Sequence, residues 1–492
     1  MSAARRGARR IALASFMVFA CALARESRAA DAPTRVLTLL PTRATRSGLR
    51  IRLAQYADSA RDGDPLGAGE ARFEIGRSFA RDGMLDSAIV NFEKSMALRP
   101  INDVRLALIL ALEMRQRPGD GLRAENLARE ASRGTDIQYE RNYWDAHVAW
   151  AVLRNGHADS AARVLASLDP AIDWSDEWHE RFGRIWAGAG DATRAFPELL
   201  FAARLSRGRD PDVMRLLAET RDRLAPATRA RADAMASRLT DPLDRMEATW
   251  GASLGAGRMD FTARDGFPLG CIVFPADVPR ARACIVVMAP GDSLWDHDSL
   301  GVALRRAGLT VALLEPRGTG HSVAPPVLYP WSWRDHEVAL GSRVAHDVLD
   351  CWHALARHLP IDTTACVVAG IGPTVTIAIE SATLERRVRA LLLISPEPAP
   401  SEQGLDCARL GKLQLPVFLQ LSPEEAPDLF LVTDALYQAG NRRASRAADA
   451  VGGGRRAVQF RNDPKLGPRF RTWLDDAFAS PAPRAPRPAK RP

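Results

Sequence analysis

The spacing of hydrophobic residues along the chain changes near residue 256. From about 66 to 249, apolar positions recur three and four residues apart, which is the spacing of one face of an α-helix. Beyond 256, short apolar runs such as 284–288 alternate with longer helical patterns such as 340–358. Continuous apolar runs of this length are typical of strands buried on both faces. The pattern predicts an α + α/β multidomain chain, with the all-helical part first.

The α/β region is predicted to begin with a hairpin, because Asp265-Gly266 separates two strand-like stretches, 259–263 and 269–274. Predicted strands then alternate with helices. The strands are 284–288, 310–314, 365–369, 388–394, 416–421 and 457–460, and the helices are 300–307, 340–358, 374–384, 427–439 and 468–478. This alternation predicts a mostly parallel sheet with helices on both faces.

Residues 69–102 in the helical region carry small and aromatic residues at the spacing of two packed helices. The small residues let the helices approach, the phenylalanines fill the space between them, and the proline ends the second helix. The positions are Ile75, Gly76, Phe79, Gly83, Ala88, Phe92 and Pro100. This unit resembles a tetratricopeptide repeat (TPR), a pair of antiparallel helices.

Weaker copies of this unit occupy residues 144–170 and 178–205. Because one helix pair cannot bury its apolar face alone, three or four units are expected to stack as a solenoid. The resemblance implies a TPR-like domain over 66–249, preceded by an N-terminal linker or helix at 31–65. It also implies a surface that binds a protein or peptide partner.

Two motifs in the second half are typical of one enzyme family. Arg-Gly-x-Gly-x-Ser, ending at Ser322, directly follows the predicted strand 310–314, and a strand, a turn and a helix succeed one another over 365–384. The second half therefore resembles an α/β-hydrolase across roughly 255–480. The resemblance places the nucleophile elbow, Gly-x-Ser-x-Gly in working members, at the turn within 365–384.

At that turn the chain reads Gly370-Ile371-Gly372-Pro373-Thr374. The resemblance places Gly372 at the nucleophile position, and glycine has no side chain that can attack a carbonyl. The next residue normally donates its backbone N–H to the oxyanion, and Pro373 has no N–H. Proline is still well suited to the first turn of a helix. Gly370, Gly372 and Pro373 are thus predicted to form a vestigial elbow.

The family's chain order of nucleophile, acid and histidine also requires a histidine after the elbow. All nine histidines lie at or before His358. The loop 461–467, where the base is expected, contains none, so the carboxylates of the loop 422–428 have no histidine to orient. His321 and Ser322 are the remaining substitutes, although side chains adjacent in sequence diverge. The resemblance therefore implies a hydrolase-like domain without a catalytic triad.

The first 30 residues resemble a secretory signal peptide. Basic residues precede the apolar run Ile11–Ala24, which is too short to span a membrane. Ala22-Leu23-Ala24 provides a small-x-small cleavage site, and a lipid anchor at Cys21 is the alternative. The sequence predicts export to the periplasm or to another part of the bacterial envelope.

The net charge of +8 lies mainly at the two ends of the chain. Without residues 1–30 and the basic Pro-rich tail 481–492, which is predicted to be disordered, 57 basic and 58 acidic residues remain. A nearly neutral middle gives no support for binding to nucleic acid. Membrane contact is expected only through a lipid at Cys21.

The cysteines show no metal-binding spacing, and the neighbours Asp296, His297 and Asp298 lack a distant fourth ligand. No metal or cofactor is therefore expected. Buried thiols are favoured, with one disulfide as the alternative. The cysteines that follow the leader are Cys271, Cys284, Cys351, Cys366 and Cys407.

These features predict an exported protein-interaction scaffold that combines TPR-like repeats with a catalytically inactive α/β-hydrolase-like domain. One alternative is a serine-type hydrolase, an esterase or peptidase, with a displaced nucleophile. Another is a sensor that binds a small acyl-type ligand in the old pocket.

Overall fold

The computed structural model describes residues 46–396 except 173, 290, 291 and 293, and then 410, 413, 415–421, 444–449, 459–463 and 465–479. The chain divides into two compact units, one ending at Thr240 and one beginning at Asp241, the latter without Arg334–Glu337. Several predicted features lie outside the described residues. They are the signal peptide 1–30 with Cys21, the loop 422–428, the helix 427–439, Cys407 and the tail 481–492.

The described part of the first unit is helical, and consecutive helices pack against one another. Its helices are α1 Arg46–Ala60, α2 Pro65–Arg81, α3 Leu85–Leu98, α4 Asn102–Arg115, α5 Asp120–Arg133, α6 Gln138–Arg154, α7 Ala158–Ala166, α8 Asp176–Gly188, α9 Ala192–Leu205, α10 Pro211–Arg223 and α11 Pro226–Ala236. Short turns join them, so the region fits a series of helical repeats, as the spacing of apolar residues predicts.

The hairpin of α2 and α3 shows why this sequence forms tightly packed pairs. The Asp64 carboxylate caps α2 by accepting a hydrogen bond from the Gly67 N–H at 2.9 Å. Gly83 forms the turn with φ of +72°, a conformation that favours glycine. A Cβ at Gly76 would stand 2.5 Å from the ring of Phe92, so only glycine lets the helices approach this closely.

The second unit begins with a helix and continues as a sheet with crossover helices. Its helices are α12 Asp241–Ser253, α13 Asp298–Arg306, α14 Trp333–His358, α15 Val375–Leu384, α16 Gln459–Asn462 and α17 Leu466–Ala479. Its strands are β1 Gly257–Thr262, β2 Pro268–Phe274, β3 Arg282–Val287, β4 Thr310–Leu314, β5 Asp362–Ile371, β6 Val388–Ile394, β7 Val417–Leu421 and β8 Ala444–Asp449.

The eight described strands form one sheet in the order β1-β2-β4-β3-β5-β6-β7-β8. β2 pairs antiparallel with both β1 and β4, and every other described pairing is parallel. The hairpin predicted around Asp265-Gly266 is the β1–β2 hairpin. Because β3 and β5 are central neighbours, their carboxyl ends lie side by side at one edge of the sheet.

Helices cover both faces of this sheet. Side chains of α14 and α15 share a core with one face of β2, β3 and β5, and side chains of α13 and α17 share a second core with the opposite face. Strands buried on both sides explain the continuous apolar runs in the sequence. The predicted fold class, a helical region followed by a mostly parallel sheet with helices on both faces, is confirmed.

The last predicted strand is wrong. The sequence predicts a strand at 457–460, but its described residues 459 and 460 begin helix α16, and the last strand among the described residues is β8 at Ala444–Asp449. The apolar run is short enough to fit either structure, and Phe460 reaches the core from a helical turn. β8 pairs with β7 at the sheet edge and carries a polar sequence, so the apolar pattern did not reveal it. Arg461 and Asn462, predicted to lie in the loop after the last strand, belong to helix α16.

Within the part of the chain that the structure describes, no helix combines the length and the apolar character that crossing a bilayer requires.

Candidate functional site

The turn between β5 and α15 has the geometry of an elbow. Ile371 is extended, with φ of −126°, and Gly372 follows with φ of +57°, in the left-handed region that strains any L side chain. A catalytic nucleophile in this fold occupies such a strained position between strand and helix. The structure therefore places Gly372, a residue without a side chain, in the left-handed conformation between β5 and α15.

Pro373 occupies the first position after this point. It begins the short 3₁₀ turn Gly372–Thr374 that leads into α15. Its ring nitrogen carries no hydrogen, so it cannot donate to an oxyanion formed above the sheet. The turn is locally well suited to its sequence and lacks one hydrogen-bond donor that acyl transfer in this fold uses.

Contacts of Thr374 and Val375 hold the turn between β5 and α15 in place. The Thr374 hydroxyl accepts a hydrogen bond from the Ile371 N–H at 2.8 Å and donates one to the Val287 carbonyl of β3 at 2.7 Å. A Cβ at Gly370 would lie 2.6 Å from Cα of Val375, so α15 approaches β5 too closely for any larger residue. The turn is therefore closely packed against β3 and α15, although its central residue is glycine.

His321 and Ser322 lie far from this turn. The Ser322 hydroxyl is fully buried, donates to the Glu315 carbonyl at 2.9 Å and accepts from the Gly270 N–H of β2 at 2.9 Å. β2 is three strands from β5, a separation of roughly 14 Å at the usual strand spacing. The hydroxyl therefore ties the loop after β4 to the sheet.

The His321 ring is directed towards the edge of the sheet. Its Nδ1 is 3.5 Å from Oδ2 of Asp260 on β1, and its Nε2 is 3.4 Å from Oδ1 of Asp244 on α12. Burial opposes ionisation of Asp260, yet the hydrogen bond from His321 and the charge of Arg258 lower its pKa to about 2. The structure thus separates His321 from Ser322 and pairs the histidine with carboxylates.

A second histidine, His297, lies in the segment between β3 and α13. His297 is 2% exposed, and its Nε2 is 3.1 Å from Oδ2 of Asp292, which also accepts from the Ala289 N–H at 3.2 Å. These residues follow β3, which pairs with β5 through Val287 and Gly370. Among the described residues, Nδ1 of His297 has no hydrogen-bond partner. The sequence analysis named His297 but missed Asp292, because a partner five residues away in a turn follows no periodic pattern.

The arginine of the Arg-Gly-x-Gly-x-Ser motif is a structural residue. Arg317 is 3% exposed and hydrogen-bonds the carboxylate of Asp347 on α14 at 2.6 and 2.7 Å. It also bonds Asp265 in the β1–β2 turn at 2.8 and 3.0 Å, and its guanidinium lies 4.4 Å from the ring centroid of Phe267. The hydrogen bonds from Arg317 lower the pKa of Asp265. The motif thus joins the hairpin to the long helix.

The helical unit contains a buried charged cluster that sequence analysis missed. Arg181 on α8 lies 3.4 Å from Glu113 on α4 and 2.6 Å from Glu177. Trp150 and Trp178 flank its guanidinium, with ring centroids at 5.1 and 4.9 Å. Although burial acts in the opposite direction, the charge of Arg181 lowers the pKa of Glu113. The cluster combines residues from three helices, so no local spacing in the sequence marks it.

His147 on α6 completes this cluster. Its Nδ1 is 3.8 Å from Oε1 of Glu113, which is beyond hydrogen-bond distance, and its ring packs edge-on at 4.8 Å against Trp178. Within the described residues neither ring nitrogen has a hydrogen-bond partner. Burial lowers the pKa of His147, so the neutral imidazole is the favoured form.

Across the ranges that the structure describes, no group of three or more His, Cys, Asp or Glu side chains is arranged to hold a metal ion.

No family model and no curated protein sequence matches the chain. Among solved structures, an esterase of Pyrococcus furiosus is similar at 12% identity with a TM-score of 0.35, covering 46% of this chain and 93% of that one. AbyA5 is similar at 16% identity with a TM-score of 0.36, covering 67% and 95%. The esterase domain of a Rhodothermus marinus protein is similar at 13% identity with a TM-score of 0.32, covering 45% and 98%. Identities and TM-scores this low do not assign a function to the chain.

Proposed function

We propose that this chain is an exported interaction scaffold. In this proposal the helical repeats bind a protein or peptide partner, and the α/β-hydrolase-like domain is catalytically inactive and serves as a rigid support or as a second docking platform. Export is proposed from the signal-peptide-like residues 1–30, and lipid attachment at Cys21 is the alternative to simple cleavage. Cleavage of the leader is checked by N-terminal sequencing of the envelope protein, and a Cys21→Ser variant separates lipidation from simple cleavage.

The elbow is the observation that carries this proposal. Gly372 lies in the left-handed conformation between β5 and α15, where an attacking side chain is needed, and Pro373 follows without an N–H. No histidine occurs after His358, so no downstream base is available to this edge of the sheet. Loss of triad residues typically lowers kcat by about a millionfold. Three deficits at one site support a domain retained for its shape.

The first experiment tests inactivity. Purified full-length protein is incubated with p-nitrophenyl esters and with a fluorophosphonate probe, beside a working esterase. We expect neither turnover nor labelling. Labelling that disappears in a Ser322→Ala variant, or steady ester turnover, would contradict the proposal. Thermal stabilisation by acyl compounds without turnover would instead favour the ligand-sensor alternative.

The second experiment tests binding by the helical unit. Leu122 and Tyr139 are large apolar side chains of this unit, 58% and 55% exposed, and Leu384 is a comparable residue of the α/β domain at 46%. Affinity capture from the cell envelope at physiological salt is expected to recover a specific partner. Leu122→Glu or Tyr139→Glu should reduce its recovery, whereas the matched variant Leu384→Glu should not. Failure to recover any specific partner counts against the scaffold.

A second candidate function is a serine-type hydrolase with a displaced catalytic centre. The Asp292–His297 pair favours it, because a buried imidazole paired with a carboxylate follows β3, the strand that pairs with β5, and one ring nitrogen has no partner among the described residues. The same probe decides between the two functions. Fluorophosphonate labelling that is lost in both His297→Gln and Asp292→Asn would establish the hydrolase and exclude the inert domain.

A further inference from the structure

His147 lies where three consecutive helix pairs meet. The histidine, 2% exposed, belongs to the pair α6–α7, Glu113 comes from the pair α4–α5 before it, and Arg181 comes from the pair α8–α9 after it. Nδ1 of His147 is 3.8 Å from Oε1 of Glu113, and Oε2 of Glu113 is 3.4 Å from Nη2 of Arg181. Neither ring nitrogen has a hydrogen-bond partner among the described residues. A second proton on the ring would therefore add a buried charge that no described group hydrogen-bonds.

Aromatic rings occupy the space around this imidazole. Its centroid is 4.8 Å from that of Trp178, 5.0 Å from that of Tyr143 and 5.9 Å from that of Trp144. Trp144 and Trp178 are themselves buried. These rings shield the imidazole from the water that would solvate its charged form. The charged ring recovers that solvation only when the helices around it separate.

Burial is the largest influence on the ring, and it lowers the pKa of His147. Among the charges that face the ring, Glu113 of α4 and Glu177 of α8 favour the imidazolium, whereas Arg181 of α8 opposes it. The other ionisable residues of α5, α6 and α7 are engaged with other groups or exposed to solvent. The engaged residues are Asp120, Arg123, Glu125, Arg129, Glu140, Arg141 and Asp145, and the exposed residues are Glu130, Arg133, Arg154, Asp159 and Arg163.

We propose that the Glu113–His147–Arg181 cluster is an acid-sensitive joint of the helical array. Protonation of His147 separates α6 from α4 and α8, and the three helix pairs lose their fixed arrangement. Because each pair of such an array contacts only its neighbours, opening one joint changes any surface that spans it. A partner held by several pairs is then released. This release rests on the proposed binding function, and the opening does not.

The direction of the effect follows from where the proton binds more strongly. An opened, hydrated His147 has the ordinary pKa of 6.5, and burial gives the closed ring a lower pKa. The closed state therefore keeps its full stability above about pH 6.5 and loses it as the pH falls towards the folded pKa. Since one proton is bound, the opening equilibrium constant should rise by up to about tenfold between about pH 7.5 and about pH 5.5.

Hydrogen exchange of the full-length protein, followed by mass spectrometry, measures this opening. The protection of amides in α4, α6 and α8, corrected for the intrinsic exchange rate at each pH, should fall by up to about tenfold on acidification of the wild type. His147→Gln removes the titrating group and should show no such fall. His157→Gln is the matched control, because His157 is exposed just after α6, and it should behave like the wild type.

Unchanged protection in the wild type would overturn the joint, and so would an equal fall in His147→Gln. An equal fall over all helices of the unit would also overturn it, because that result shows unfolding of the whole unit and not a local separation. If His147→Gln does not fold, His147→Phe keeps an aromatic ring in the same packing and gives the same test.

Partner release is tested separately. Envelope proteins captured by the wild type at about pH 7.5 should be eluted at about pH 5.5 and should stay bound to His147→Gln. Elution from both proteins alike would refute the link between the joint and binding. Failure to capture any specific protein at the higher pH would count against the proposed function and would leave the exchange result unaffected.

Discussion

Buried arginines have different surroundings in the two halves of the chain. In the α/β domain, Arg317 makes four hydrogen bonds to the carboxylates of Asp347 and Asp265. In the helical unit, Arg181 is also buried, yet its Nη1 has no hydrogen-bond partner among the described residues, and neither has Oε1 of Glu113, the carboxylate oxygen on the His147 side. Tryptophan rings occupy the space beside that guanidinium instead.

The difference shows what each half requires of its charged residues. A saturated ion pair between a hairpin and a long helix fixes their arrangement, and losing one partner leaves a buried charge without compensation. When some polar atoms of a cluster between helices lack hydrogen-bond partners, the cluster fixes the arrangement of those helices less strongly. Its contribution to stability also changes more readily with protonation. The four predictions below test this contrast, from the largest expected effect to the smallest.

Replacing Arg317 by Leu should have the largest effect, because it leaves the Asp347 carboxylate buried and unpaired. We expect a loss of about 3–5 kcal/mol in the free energy of unfolding, measured by urea denaturation of the full-length protein. Arg343 is an exposed residue of α14, the helix that carries Asp347, and Arg343→Leu should alter stability by less than about 0.5 kcal/mol. The double variant Arg317→Leu/Asp347→Leu should recover part of the loss. If Arg317→Leu and Arg343→Leu lowered the free energy of unfolding equally, the Arg317–Asp347 ion pair would have no special role in stability.

Gly370→Ala tests the packing of the elbow. Its Cβ would stand 2.6 Å from Cα of Val375 and 2.8 Å from the Thr374 carbonyl oxygen, and backbone atoms cannot rotate away. A loss of about 1–3 kcal/mol is expected by denaturation. Gly257→Ala is the control, since a Cβ there meets nothing within 4 Å. A neutral result at Gly370 would mean that α15 can move away from β5.

Gly372→Ser tests the chemistry of the elbow separately from its packing. A serine at φ of +57° should cost about 1 kcal/mol in stability. We expect no fluorophosphonate labelling, because no downstream histidine is available and Pro373 has no N–H to donate. The double variant Gly372→Ser/Pro373→Ala restores the donor and should still be inert without a base. Rapid labelling of either variant would reveal that an upstream histidine reaches the turn.

The smallest effect is expected from pH in the helical unit. Burial holds the pKa of His147 below its ordinary value of 6.5, so the unfolded chain takes up the proton more readily than the folded one. The stabilisation from the neutral form is complete above about pH 6.5 and is lost as the pH falls towards the folded pKa. The charged groups near the ring are Glu113, Arg181 and Glu177. The urea midpoint, followed by tryptophan fluorescence, should therefore decrease on acidification more steeply in the wild type than in His147→Gln. Identical slopes would contradict this assignment.

Much of the fold was predictable because local patterns report burial. The strand at 310–314 was predicted with the bounds that β4 has, since a continuous apolar run bordered by turn residues has few other interpretations. β8 was missed, because an edge strand needs little apolar surface. The helix at Gln459–Asn462 was mistaken for a strand, because four residues are too few to show a period.

The candidate site divides in the same way. Gly372 and Pro373 could be located from the sequence, since an elbow is a local turn between one strand and one helix. The Asp292–His297 pair and the Glu113–His147–Arg181 cluster could not. Each depends on side chains that meet only after distant segments, or an irregular turn, have been positioned.

The sequence by itself determined that this protein has a helical half, an α/β half and an elbow whose central residue is glycine, because each follows from residues close together in the chain. Only the tertiary structure decided that Ser322 bonds the backbone of β2 and of Glu315, and that His297 pairs with Asp292. The burial of apolar side chains decides which face of a helix or strand points inward, and the spacing of apolar residues in the sequence indicates that face. The partner that a polar or thiol group meets inside is set by how the elements cross, and no single segment encodes that.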